Sequence, residues 1–169
     1  YYAARMVNAG EAPEAIFRRL ACAASEDVGM ADPQAMVQVV TAWQAFERIG
    51  WPEGRLFLAQ AITYVAPAPQ SNASYMAFEG AMALARETGH LAPPLNVLNA
   101  PTKLMKELGY GAEYRYAHDE AEGYAAGENY LPEGMPAVHW YQPVGRGLEQ
   151  KIAQKLAHLR ELDAKAKTR

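Results

Sequence analysis

Asp32-Pro33-Gln34-Ala35-Met36-Val37-Gln38-Val39-Val40-Thr41-Ala42-Trp43-Gln44-Ala45-Phe46-Glu47-Arg48-Ile49 is the stretch that decides the fold class. Aspartate is a favoured N-cap and proline suits the first helical turn, so Asp32-Pro33 marks a helix start. Met36, Val39, Val40, Trp43, Phe46 and Ile49 then recur at intervals of three and four residues, the period of one helix face. An amphipathic helix of this length needs a partner to cover its apolar face, and the flanking sequence offers more helices.

Upstream, residues 1–9 read as the end of a helix stopped at Gly10, and Pro13 opens another that carries Ile16, Phe17, Leu20 and Cys22 to about Asp27. Downstream, Gly50-Trp51-Pro52 turns the chain into a helix with Leu58, Ile62 and Val65 on one side, broken at Pro67 and Pro69. Ser71 or Asn72 caps the next helix, which spaces Ala73, Ala77, Ala81 and Ala85 four apart beside a bulky stripe of Tyr75, Phe78 and Met82 and ends at Gly89. Alanine recurs through these segments and loses almost no side-chain entropy in a helix. Short loops between helices of similar length predict antiparallel neighbours in an all-α bundle.

Beyond His90 the texture changes. Pro93, Pro94 and Pro101 bracket a loop, and a short helix over 102–108 ends at Gly109-Tyr110-Gly111. Asp119 to Glu122 reads as a capping-box-like start of a helix reaching about Glu128. The aromatic segments 114–116 and 138–141 are candidates for a minimal β ribbon in an otherwise irregular stretch near 110–145. A last helix, about 148–162, aligns Leu148, Ile152, Leu156, Leu159 and Leu162 ahead of a basic tail, Lys165 to Arg169, expected to fray.

With 169 residues, half of them hydrophobic and a fifth charged, the chain fits one helical domain, 1–169, with enough apolar content to fold. Sixteen basic against 19 acidic side chains give a net charge of −3, so there is no bulk attraction to phosphate backbones or anionic membranes. The single cysteine, Cys22, rules out an intrachain disulfide and fits a reducing cytoplasm. The longest uncharged run, 56–78, is interrupted by prolines and polar residues and does not read as a membrane span. The chain starts without methionine and already in helical character, and the expectation is that a longer protein continues upstream.

A search for chemistry finds little. No GxxxxGK[ST] loop occurs, and Gly109-Tyr110-Gly111 lacks the third glycine of a dinucleotide fingerprint. None of Ser25, Ser71 and Ser74 lies in a nucleophile elbow, and Cys22 has only alanines beside it. Glu87-x-x-His90 is half a di-metal motif whose helix should already have ended at Gly89. His118-Asp119 is a candidate metal pair of an all-helical phosphohydrolase, against the simpler reading that Asp119 caps a helix and His118 packs on tyrosines. Glu26-Asp27 sits near a helix C-terminus, where negative charge is disfavoured, so a basic group is expected opposite. Arg18, Arg19, Lys103 and Lys106 are candidate DNA contacts, with exposed tyrosines as possible stacking partners for single strands.

One string of segments is distinctive. Ala24-Ser25-Glu26-Asp27-Val28-Gly29-Met30-Ala31-Asp32-Pro33 comes first, followed by Gly50-Trp51-Pro52-Glu53 and Gln70-Ser71-Asn72. Asn99-Ala100-Pro101 through Gly109-Tyr110-Gly111, then Tyr114-x-Tyr116-x-His118-Asp119, Tyr130-Leu131-Pro132 and Gly147-Leu148-Glu149 complete it. In this order and over the whole chain it resembles the C-terminal region of the replication-associated recombination protein A family, clamp-loader-related AAA+ ATPases that include the Werner helicase-interacting protein. The resemblance implies an all-helical domain related to the clamp-loader collar that assembles the parent ATPase into a homotetramer, cytoplasmic and nucleoid-associated, at stalled forks or recombination intermediates. It implies that ATP and magnesium bind upstream of this chain, which would hold no cofactor and no active site of its own. DNA would be a partner of the parent, and a single-stranded DNA-binding protein a further one.

The resemblance also implies structural roles: caps for Asp32 and Ser71, a tight turn for Gly109 and Gly111, and packing for Tyr110, Tyr114, Tyr116 and Tyr130. Gln70 replaces the lysine usual before Ser71-Asn72. Asn96 and Leu98 stand where histidine and arginine are common, so DNA contacts assigned to those loops do not carry over.

Overall fold

A computed structural model describes residues 1–112 and 114–167 of the chain. Seven α-helices are present among them: α1 (Tyr2–Asn8), α2 (Pro13–Ala23), α3 (Gln34–Ile49), α4 (Gly54–Val65), α5 (Ala73–Thr88), α6 (Lys103–Glu107) and α7 (Glu149–Lys167). The chain groups into two compact units, one formed by 1–79 and 140–153, the other by 80–139 and 154–169.

In the first unit α1 to α4 pack as consecutive helices, with α3 against α4 and α2 against α3. The apolar faces read from the sequence meet here. Phe17 is fully buried, parallel to Trp43 at 5.9 Å and tilted on Phe46 at 5.6 Å, and Trp51 stands edge-on to Phe46 at 5.1 Å. Ile16 and Leu58 complete this aromatic cluster. A second, finer-grained cluster joins Ala24, Val28, Ala35, Val39 and Ala61, where small side chains let the helices approach closely. Gly54 belongs to the same packing logic, because a Cβ there would run into the Phe46 ring.

Several boundaries differ from the sequence reading. The second helix ends as an α-helix at Ala23 and widens into a π-helical turn over 24–28, which turns Ala24 and Val28 inward while Ser25, Glu26 and Asp27 stay exposed. Val40 and Ile49 lie at the margins of the α3 stripe and are exposed. The last helix runs on to Lys167, so Lys165 and Lys167 are helical, and Thr168 and Arg169 of the expected tail lie outside the described residues.

The second unit is mostly irregular. The helix expected from Asp119 to about Glu128 does not form: two separate 3-10 turns, Ala117–Asp119 and Ala121–Gly123, stand there. Glu122 adopts a left-handed backbone (φ 60°) and Gly123 follows it (φ 65°), two successive residues that a right-handed helix cannot contain. No strand occurs among the described residues, so segments 114–116 and 138–141 do not pair as a ribbon. Gly109 and Gly111 both take positive φ, and the short α6 before them is capped by the Thr102 hydroxyl, which accepts from the Met105 N–H at 3.2 Å.

Among the described residues every buried apolar side chain except Ala125 belongs to the first unit. Phe17→Ala is therefore expected to cost about 3–5 kcal/mol in urea unfolding, the range for emptying an aromatic site in a packed core. Tyr114→Ala, at a ring that is 59% exposed, is expected to stay within about 0.5 kcal/mol of the parent chain.

Candidate functional site

The most constrained polar group in the first unit is the Glu149 carboxylate, with no exposed surface at all. It opens α7, and both its oxygens are used. The Tyr141 hydroxyl donates to Oε1 at 2.7 Å and the Val144 N–H to Oε2 at 2.8 Å, and the Ser71 hydroxyl adds a third hydrogen bond. Around this node the backbone is stitched to the bundle: Leu148 N–H to Ala31 O at 2.8 Å, Ser71 N–H to Asp27 O at 2.7 Å, and Arg146 Nε–H to Gln70 O at 2.6 Å. Gly147 (φ 54°) fits because a Cβ there would collide with the Ala31 carbonyl, and Gly29 (φ 51°) does the same against the Ser71 carbonyl.

Burial works to raise the Glu149 pKa, but the hydrogen bonds from Tyr141, Ser71 and Val144, with the Arg146 charge, outweigh it and hold the carboxyl below its usual range. Burial and the bond to Glu149 push the Tyr141 phenol well up. A carboxylate held ionised with all its partners donating is an anchor. It is the opposite of a general acid, which needs its pKa raised.

The second unit is organised by a cation. The Arg115 guanidinium pairs through Nε and Nη2 with both oxygens of Glu120, at 2.8 and 2.7 Å, and through Nη1 reaches Glu128 at 3.3 Å and the Ala126 carbonyl at 2.9 Å. Hydrogen bonding to Arg115 lowers the Glu120 pKa. Asn96 Nδ2 joins Glu128 and the Asn129 carbonyl. On α7, Asp163 receives the Tyr124 hydroxyl at 2.8 Å and the Gly127 N–H at 2.9 Å, and burial, followed by this bond, pushes the Tyr124 phenol up to about 12.

Against this geometry the residues singled out from the sequence fall into three groups. Asp32 caps α3 by accepting from the Gln34 N–H at 3.1 Å and also receives the Tyr64 hydroxyl at 3.0 Å. Ser71 accepts from the Ala73 N–H while binding Glu149, and is buried. By contrast Pro52 and Glu53 lie exposed on a turn and Asn72, Asn99 and Pro101 exposed in loops, and Tyr114, Tyr116 and Tyr130 are more than half exposed. These three rings are not buried as packing residues would be; Tyr110 alone of the four is half-buried.

The candidate metal pair has no converging set. His118 lies beside the Tyr116 ring at 5.0 Å, and among the described residues no three His, Cys, Asp or Glu side chains gather to hold an ion. Arg18 and Arg19 share a shallow surface cavity with Cys22, Glu26 and Asp27. Lys103 reaches Glu107 at 3.8 Å along α6. Among the described residues no helix is long and apolar enough to cross a membrane. Sequence reading missed Arg115, Tyr124, Tyr141 and Asp163. The available signal was Arg115 between two tyrosines with Glu120 and Glu128 downstream.

Glu149→Gln keeps the shape but removes the charge that three donors serve, and should lower stability by about 2–4 kcal/mol at pH 7. Since the folded carboxyl titrates below the unfolded one, its stabilisation is complete above the ordinary Glu value of about 4.3 and is lost as pH falls through the folded value. The gap between parent and variant, followed by denaturant titration, should be flat from pH 6 to 8 and close below about pH 4.

Comparison with known proteins completes the description. A protein of Escherichia coli strain K12 named Replication-associated recombination protein A is 54% identical over 163 residues, covering 96% of this chain and 36% of that protein. The protein of the same name from Coxiella burnetii is 49% identical over 168 residues, covering 99% of this chain and 38% of its own length. ATPase WRNIP1 of Dictyostelium discoideum is 35% identical over 142 residues, 84% of this chain and 16% of that protein. The chain thus spans little more than a third of the bacterial relatives. The family described as MgsA AAA+ ATPase C terminal matches residues 1–160. With an all-helical fold and relatives above half identity along nearly its whole length, the chain belongs to the C-terminal family of the MgsA AAA+ ATPases.

Proposed function

We propose that this chain is the oligomerisation module of an AAA+ ATPase acting in replication-fork maintenance and recombination, that it assembles as a homotetramer, and that it performs no catalysis itself. The observation that carries this reading is on α5. Tyr75, Met76 and Phe78 are 47%, 56% and 67% exposed, a run of large apolar side chains with no cover in the single chain. A soluble protein rarely leaves such a patch open unless something docks there.

The anchored carboxylate of Glu149 and the ion-paired Arg115 support the same reading, because both are used to hold segments together and neither is left poised for chemistry. On this account ATP and magnesium are bound elsewhere in the parent protein. Its site of action is cytoplasmic and nucleoid-associated, and DNA and a single-stranded DNA-binding protein are partners of the parent. The names carried by the relatives, replication-associated recombination protein A and ATPase WRNIP1, agree with that setting.

Light scattering after size exclusion should give about four chains per particle, and Phe78→Glu should shift the particle toward fewer chains while leaving the far-ultraviolet helical signal unchanged. A strict monomer at high concentration overturns the proposal.

A further inference from the structure

Within the first unit a groove of about 200 Å³ runs between α1 and α4. Ala3, Ala4 and Val7 line one side and Leu58, Ala59 and Ile62 the other, each set at positions i, i+1 and i+4 that share one helix face. Three of these six are alanines, so little side chain stands between an incoming element and the two backbones. Leu58 and Val7 belong at the same time to the Phe17 cluster, and the groove therefore opens onto the core. Trp51 adds a further wall; it stands edge-on to Phe46 and remains 45% exposed. Of the nine described residues that line the groove only Asn8 and Arg55 are polar. Such a lining left open to water forfeits the gain that covering it would bring.

We propose that this groove receives a helix formed by the segment that precedes Tyr1 in the parent protein. The inference rests on the proposed reading that this chain is the C-terminal part of a longer ATPase; the stretch shared with the Escherichia coli relative is 36% of that protein. Place and size choose the occupant. α1 begins at Tyr2 and Ala3 already lines the groove, so a chain arriving at Tyr1 enters beside it, and a loop of about 2–8 residues, usual between packed helices, suffices to turn back into it. From Arg55 to Ile62 the α4 side is about 10 Å long, two helical turns, which suits one helix laying residues i, i+3 or i+4 and i+7 into the groove. Nine lining residues fall well short of the about 20–30 a side that a stable interface between separate proteins takes. A tethered segment needs no such area, because a short linker holds it at an effective concentration on the order of millimolar.

The test compares the parent-length protein with this chain, each with Cys22→Ser and either Ala59→Cys or Gln44→Cys, by the rate of thiol alkylation read on the tryptic peptide that holds the new cysteine. Positions 59 and 44 are both exposed in this chain, and 44, on α3, is not part of the groove. The expected result is alkylation at 59 slower by about tenfold or more in the parent-length protein, with equal rates at 44 in the two proteins. Ala59→Glu, which places a charge in the contact, should speed protease cleavage ahead of Tyr1 in the parent-length protein by about tenfold and leave the melting temperature of this chain unchanged. Equal rates at 59 in the two proteins, equal slowing at 59 and 44, or protection at 59 without faster cleavage in the Ala59→Glu protein overturns the proposal. Protection that fades when the parent-length protein is diluted, or that appears when this chain is concentrated, also overturns it and gives the groove to a second copy. Particle mass measured in parallel separates the two readings: a monomeric parent with 59 protected defeats the tetramer and leaves this inference standing, and a tetramer with 59 open does the reverse.

Discussion

The first unit depends on a carboxylate with no access to water. An ionised group in that position is tolerable only if every lone pair in use meets a donor, and Glu149 meets three from two separate stretches of chain. Ser71 stands between α4 and α5, while Tyr141 and Val144 stand on the segment leading into α7. Satisfying one side chain therefore fixes where α5 begins, where α7 begins, and how the return segment lies on the bundle. The close approaches of Gly147 to Ala31 and of Gly29 to Ser71 follow from the same demand, since the backbones must come within hydrogen-bonding reach for the node to close.

The second unit solves a different problem with less apolar material. With Ala125 as its one buried apolar side chain among the described residues, it relies on Arg115 to draw Glu120, Ala126 and Glu128 together and on Asp163 to hold Tyr124 and Gly127. Planar bidentate pairing gives such a node direction as well as attraction. Half-exposed ion pairs contribute only modestly to stability, so the irregular segment is specified more by geometry than by depth of burial.

These two solutions explain what could be read in the sequence. The bundle was legible because each helix from α2 to α4 has to repeat its apolar residues at helical spacing, and Pro13, Asp32-Pro33 and Gly50 punctuate them; α5 carries the same signal, yet its stripe of Tyr75, Phe78 and Met82 is exposed. The helix expected after Asp119 was not legible as a turn: a capping-box pattern is a local signal, and it loses to Glu122 and Gly123 taking left-handed conformations so that Arg115 can reach both Glu120 and Glu128. Tyr114, Tyr116 and Tyr130 look like core residues by type, yet all three are more than half exposed, while in the same segment Ala125 is buried and Tyr124 half-buried. Glu149 stood out only as part of a tripeptide, because its partners lie eight residues before it and in a loop nearly 80 residues away.

That separation has a consequence for how the chain comes to be folded. The first unit is discontinuous, leaving off after Glu79 and resuming at Trp140. Closing a flexible loop of that length costs only slightly more entropy than closing one of half the length, but it cannot begin until the second end exists. During synthesis from the N-terminus, α1 to α4 can collapse on their aromatic cluster early, whereas the seat around Ser71 and the Ala31 carbonyl stays vacant until α7 leaves the ribosome. Completion of the bundle is thus timed by the last helix, and a chain interrupted anywhere between Glu79 and Glu149 would display an unfinished bundle with its polar seat open to water.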